Sequence, residues 1–285
     1  MKIQPLLASQ IYAQPWCILP SAHAEIGKLY QQYIRGELSG EAQPLSPTNL
    51  HGAKRLSYGI AYDVSEDGKM AVIYAEGIIA KKAPDMFCGP TTIDLVVLDQ
   101  LLGDVSRDPA IQTLVIYLDT PGGSVIGLEE TGMNIDDVKA AGKRVVTYSD
   151  TLCASAGYRV SANCDAIYAA PSALIGSIGT YIAAIDDSRA WEMEGLKLKL
   201  FKDGDLKAVG HPGKEWTADE EAWMQSWCDE AAVDFKAHVR AHRPALSEEA
   251  MQGQVHTAKH APEGLVDGLY RDLASCIAAE WALLS

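Results

Sequence analysis

Ser155 stands in the run Thr151-Leu152-Cys153-Ala154-Ser155-Ala156-Gly157-Tyr158, among side chains too small to shield its hydroxyl. At the start of a helix a serine has two uses. It caps the helix by accepting a backbone amide, or, given a base to take its proton, it attacks a carbonyl carbon. In the second case the next amide, that of Ala156, helps hold the oxyanion. Cys153 is a rival nucleophile, but its apolar neighbours suit a packed thiol of high pKa rather than a thiolate. Earlier in the chain, Asp119-Thr120-Pro121-Gly122-Gly123-Ser124 sets two glycines directly after an apolar run. Gly122 and Gly123 can take positive φ and aim amides outward at an anion or an oxyanion; the same residues also suit a plain strand-to-helix turn. No Gly-Lys-Ser/Thr follows, so this is not a phosphate loop.

A serine nucleophile needs a base. His51, His211, His238, His242, His256 and His260 are candidates for a Ser/His/Asp arrangement, although none sits in a small-residue loop. The other candidate is Lys207, in Lys202-Asp203-Gly204-Asp205-Leu206-Lys207-Ala208-Val209-Gly210. A lysine acts as a base only when its amine is neutral, which burial favours, and Leu206, Ala208 and Val209 are compatible with burial. A surface lysine is the alternative reading of the same residue. A third loop, residues 171–181, holds Gly176-Ser177-Ile178-Gly179-Thr180, whose hydroxyl could orient such an amine; otherwise it is an ordinary turn.

These loops need elements to position them. From Met70 short apolar runs alternate with helical patterns: a strand at 70–75, a helical pattern over 92–105, a strand over 111–118, a helix over 124–141 and a strand over 144–148. A helix from about 154 and strands over 166–169 and 196–201 follow. That alternation predicts an α/β fold of repeated βα units on a mostly parallel sheet. Thr217-Ala218-Asp219-Glu220 is a capping box that opens a long helix, on which Trp223, Trp227, Ala231, Phe235 and Val239 mark one buried face. Residues 1–65 are irregular, with a turn-rich stretch over 36–52, and are expected to form an N-terminal arm ahead of a domain over 66–285.

Composition narrows the classes. The 285 residues are 48% hydrophobic and 22% charged, which suits a globular chain with a sizeable core. A formal charge of −14 disfavours phosphate backbones and anionic lipid, so no nucleic-acid or membrane partner is expected. Cys17, Cys88, Cys153, Cys164, Cys228 and Cys276 show neither CxxC pairs nor metal-like spacing, which predicts reduced thiols in a cytoplasmic setting without metal or cofactor. Lys2 and Ala22-His23-Ala24 offer a competing secretory signal, but Gln4, Pro5, Gln10, Gln14 and Pro15 interrupt its apolar stretch.

Taken together, Asp119-Thr-Pro-Gly-Gly-Ser-Val125, Ala154-Ser-Ala-Gly-Tyr158, Ile175-Gly-Ser-Ile-Gly179 and Gly264-Leu-Val-Asp267 resemble, in order and spacing, the motifs of the signal peptide peptidase A family of serine peptidases. That family includes capsid-assembly proteases of tailed phages. The resemblance implies a fold shared with the Clp protease and the crotonases, and a Ser/Lys dyad. Ser155 would be the nucleophile and Lys207 the base; the Gly123 and Ala156 amides would form the oxyanion hole, with Gly122 beside them, and Ser177 would hydrogen-bond the amine. The arm around Trp16–Pro20, with a helical stretch over 26–34, is similar to that of phage members. The implied substrates are extended polypeptides, scaffold and capsid proteins in the phage setting, and the implied assembly is a homo-oligomer. One departure is that the chain ends at Ser285 without the long scaffold-like extension of several phage enzymes. The rival readings are a peptide-degrading bacterial relative, a crotonase-like acyl-CoA enzyme, against which counts the lack of an acid/base carboxylate near the glycine turns, and a catalytically silent assembly module.

Overall fold

The computed structural model describes residues 14–35, 53–57, 59–82 and 92–284. The leader-like residues before Gln14, the turn-rich stretch over 36–52 with His51, and Cys88 lie outside them.

The main sheet is built on runs that bury both faces. β4 (Met70–Glu76) and β7 (Thr113–Asp119) each bury every residue but the last, and they pair in parallel from Met70↔Thr113 to Glu76↔Asp119. A strand covered on both faces must be a continuous apolar run, which is how these two read in sequence. β9 (Arg144–Ser149), β11 (Ala166–Ala169) and the short β14 (Gly268–Leu269) extend the parallel part beyond β7. On the other side β3 (Ile60–Val64) and β2 (Lys54–Arg55) add antiparallel, giving seven strands in the order β14-β11-β9-β7-β4-β3-β2. The expected α/β class with a mostly parallel sheet is therefore the observed one. Residues 54–55 and 60–64, placed within the arm from sequence, pair in this sheet as β2 and β3.

Helices follow the strands as the alternation predicts. α2 (Leu95–Arg107) is capped by Asp94, whose carboxylate accepts the Val96 amide at 2.9 Å, and it buries Leu95, Leu98, Leu101, Leu102 and Val105. It packs on α3 (Leu128–Ala140). The capping box also forms: Thr217 and Glu220 satisfy each other's amides at the start of α6 (Ala218–His242). α7 (Leu273–Trp281) is tied to the sheet by Glu280, which is buried and accepts from Arg144 at 2.6 and 3.0 Å and from the Tyr168 hydroxyl at 3.0 Å.

Two elements differ from expectation. Residues 196–201 are not a strand: among the described residues no strand pairs with them, Leu196 and Leu200 are exposed, and Phe201 is 95% exposed. The stripe along α6 is buried only at its C-terminal end, at Phe235 and Val239; Trp223 is exposed and stacks on Trp227 with ring centroids 5.8 Å apart. That end of the helix packs on α4 (Ala156–Ala162), which begins one residue after Ser155.

On α6, burial and the Arg159 guanidinium push the His238 imidazole down to about 4, with His242 adding a smaller push and Asp136 a small opposing pull. The unfolded chain then binds a proton that the folded chain refuses, so stability rises with pH between about 4 and the ordinary histidine value near 6.5. With the ring partly exposed, a loss on the order of 1–2 kcal/mol is expected at the acid end. Urea midpoints at pH 4.5 and 7 should differ by more in the native sequence than in His238→Gln. An equal difference in both would exclude His238 as the source.

Candidate active site

Three short segments converge where two small sheets meet the top of the main one. β8 (Gly122–Ser124) leaves β7 through Thr120 and Pro121. β10 (Leu152–Ala154) leaves β9 and pairs in parallel with β12 (Leu174–Gly176), in the register Ala154↔Gly176. Thr120 joins the first segment to the second, its amide donating to Leu152 O at 2.7 Å and its carbonyl accepting the Ala154 amide at 3.0 Å. The Ser155 amide donates to Gly176 O at 2.7 Å, joining the second to the third. The loops picked from sequence for their small residues are thus one site.

Ser155 is held in a backbone conformation that L-residues rarely adopt, φ 56° and ψ −111°. Such strain costs on the order of 1–3 kcal/mol and persists only where the surroundings enforce it. Here they do: Ser155 is 1% exposed, and its amide is fixed by Gly176. The hydroxyl makes no capping bond to α4, which removes the N-cap alternative; it points instead toward Gly179 O at 3.5 Å. The glycines around it are needed for space. A Cβ on Gly123 would lie 1.9 Å from Ile79 O, and one on Gly157 would lie 2.3 Å from Thr120 Cγ2. Gly122, at φ 102°, donates its amide to Thr120 Oγ1 at 3.1 Å, which anchors the turn and leaves Gly123 as the next amide along.

Ser177 follows Gly176 at φ 54°, buried, with its amide donating to Gln254 O at 2.7 Å. Cys153 is also buried; its sulfur lies 3.3 Å from Ser161 Oγ, and burial pushes the thiol up to about 12, so it is a packed thiol as expected. The structure therefore brings Gly122, Gly123, Ser155, Ala156 and Ser177 together.

It does not bring Lys207 to them. Lys207 lies in an exposed turn, its amide donating to Gly204 O at 3.2 Å, and no hydrogen bond joins its amine to Ser155 or Ser177. The burial that Leu206, Ala208 and Val209 suggested fails because the segment 195–217 has no strand or helix to press it onto the core. Among the described residues no histidine or lysine hydrogen-bonds Ser155. Sequence reasoning also passed over Cys17, His23 and Tyr181, which lie beside the site. Neither the irregular arm, which holds Cys17 and His23, nor the turn ending at Tyr181 announced them, because their placement depends on pairing between distant segments.

Residues 137–277 match the family model described as Peptidase family S49. The matched segment holds Ser155, Ser177 and Lys207, and it includes Gly264–Asp267, where Leu265 O accepts the Tyr158 hydroxyl at 3.0 Å and Asp267 takes the Ile167 amide and Arg243, each at 2.7 Å. A candidate protease of Methanocaldococcus jannaschii is 29% identical over 59% of this chain and 55% of its own length. Protease 4 of Salmonella typhi is 28% identical over 78% of this chain and 36% of its own. Capsid assembly protease C of Escherichia phage lambda is 27% identical over 50% of this chain and 32% of its own. The chain thus spans about half the length of the first of these relatives and about a third of the other two. Among solved structures, an enoyl-CoA hydratase from Shewanella pealeana aligns over 79% of this chain and 74% of that one, at 11% identity and a TM-score of 0.46.

Proposed function

We propose that the chain is a serine endopeptidase in which Ser155 is the nucleophile. The observation that carries this is Ser155 itself: a strained, buried serine with no capping bond, between a glycine turn and a helix start. The match to the S49 peptidases and the protease names of the relatives support it. In this reading Ser155 Oγ attacks the peptide carbonyl carbon, and the developing oxyanion is held by the amides of Gly123 and Ala156. A base takes the hydroxyl proton and returns it to the leaving amine. Water then repeats the sequence on the acyl-enzyme.

Lys207 is the proposed base, with Ser177 orienting its amine. The excursion over 182–217 that carries it also exposes Ile185, Met193, Leu196, Leu200, Phe201 and Leu206. A surface that apolar favours burial against another molecule. A second copy of the chain would cover it and would let Lys207 of one copy reach Ser155 of the next, which makes the proposed active species a homo-oligomer.

The proposed substrates are extended polypeptides, since the edge of β8 beside Ser155 takes an extended segment by backbone pairing, the segment there in this structure being residues 16–18 of the chain itself. Scaffold and capsid proteins of a phage head are the substrates that the likeness to the lambda protease suggests; the likeness to Protease 4 supports cleavage of peptides in a bacterial cell equally well. Both settings share one expected outcome. A folded domain carrying a flexible tail should lose the tail and nothing else, while the same domain without it stays intact by mass, and light scattering should report a species larger than one chain. Equal cleavage of both substrates, or activity from a monomer, would contradict the reading.

A further inference from the structure

β8 has two edges. β5 (Ile78–Ala80) pairs along one, and β1 (Trp16–Ile18) lies antiparallel along the other, with Trp16↔Ser124, Cys17↔Gly123 and Ile18↔Gly122. One residue further, the Leu19 amide donates to Pro121 O at 2.9 Å. Hydrogen-bonded pairs alternate along an antiparallel ladder, so Cys17 and Gly123 form the next such pair and the Gly123 amide faces the Cys17 carbonyl. On its far side β1 is held by Tyr181: the Trp16 amide donates to Tyr181 O at 2.9 Å, and the Tyr181 amide donates to Trp16 O at 3.1 Å.

The Cys17 carbonyl also lies beside the serine. A Cβ built on Gly122 would sit 2.1 Å from Cys17 O and 2.9 Å from Ser155 Cβ, so both crowd one point. The thiol of Cys17 is buried next to Ser155, and burial pushes it up to about 12. An extended backbone, paired on both flanks, with one carbonyl at an outward amide beside a nucleophile, is the arrangement acyl transfer asks of its substrate.

We propose that β1 is an intramolecular occupant of the peptide-binding groove, set in substrate register with Cys17 at the residue whose carbonyl would be attacked, and that a substrate strand binds only after β1 leaves. This rests on the reading of Ser155 and Gly123 given above. A second observation is that β1 packs mostly outside the main core. Trp16 and Ile18 pack with Ile26 and Tyr30 of α1 (Pro20–Ile34) in a small cluster of their own, against Ala22, Ile78 and Tyr181, and of the β1 side chains Cys17 alone joins the main core. The His23 ring bridges this cluster to the groove wall, with centroids 5.1 Å from Trp16 and 5.5 Å from Tyr181. A tethered strand competes at an effective concentration on the order of millimolar, so a free peptide of ordinary affinity is kept out while β1 stays paired.

The test follows Cys17, 1% exposed, by iodoacetamide alkylation and peptide mass mapping in a Ser155→Ala background, where nothing is cut. Trp16→Ala, or Ile18→Ala should the first lower the melting temperature sharply, is expected to speed Cys17 alkylation at least tenfold. A synthetic peptide Gln-Pro-Trp-Ala-Ile-Leu at millimolar concentration should do the same to the chain with β1 unaltered. With Ser155 present, Trp16→Ala should cleave casein about tenfold faster. Alkylation unmoved by either treatment would overturn the proposal. So would a Trp16→Ala chain that exposes Cys17 yet cleaves casein more slowly at an unchanged melting temperature, since β1 would then be a wall of the site. Cys17 responding in a chain that cleaves nothing would support the occupied groove and sink the peptidase reading instead.

Discussion

Replacing Ser155 with alanine is expected to abolish peptide-bond cleavage while leaving the fold in place. The loss should be large because the nucleophile and its base act as a unit, and removing one member of such a unit costs on the order of 10⁶ in kcat. The fold should survive because alanine already stands on both sides, at Ala154 and Ala156, and the anchoring bond to Gly176 O comes from the backbone. Alanine tolerates φ 56° no worse than serine does, so the melting temperature should move by only a few degrees. Residual turnover near the native level would remove Ser155 from the chemistry and return attention to Cys153, despite its buried thiol.

The second large effect is at Lys207, where arginine should be as damaging as alanine. A guanidinium stays protonated throughout the accessible pH range and cannot take the serine proton, whatever its charge does for binding. General-base loss alone is typically worth 10²–10⁴ in rate, and more where base and nucleophile act together. Activity of the native sequence should rise with pH, since a base must be unprotonated to take the serine proton. A midpoint near 6.5 would point to a histidine instead. If Lys207 serves the serine of a neighbouring copy, Ser155→Ala and Lys207→Ala chains, each inactive, should regain activity when unfolded together and reassembled. Substantial turnover in Lys207→Arg would reduce the lysine to a binding cation.

The parts of the fold that were legible in sequence are those set by local chemistry. β4 and β7 announced themselves because strands buried on both faces must be apolar throughout, and α6 because Thr217 and Glu220 spell out its first turn. The three loops could be picked out because only small residues fit where Ile79 O crowds Gly123, the Thr120 methyl crowds Gly157 and Gln254 O crowds Gly176. What sequence could not supply were placements decided by competition between distant segments. The leucines at 196–200 alternate as a strand should, yet among the described residues no strand pairs with them, and Leu196 and Leu200 are exposed. Trp223 and Trp227 keep helical spacing, yet on this stretch of α6 it is Met224 that is buried, while Trp223 is exposed and stacks on the half-buried Trp227. Lys207 has apolar neighbours in sequence but stands in an exposed turn. The pairing of β1 with β8 joins residues more than a third of the chain apart, and three residues of ordinary composition carry no signal for it.

The most direct test of the central claim is to trap the acyl-enzyme. A peptide ester incubated with the chain, quenched in acid within a turnover and mapped by mass, should leave its acyl group on the peptide containing Ser155, and Ser155→Ala should leave none. An acyl group found on Cys153 or Cys17, or turnover of the ester with no adduct on Ser155, would contradict the account.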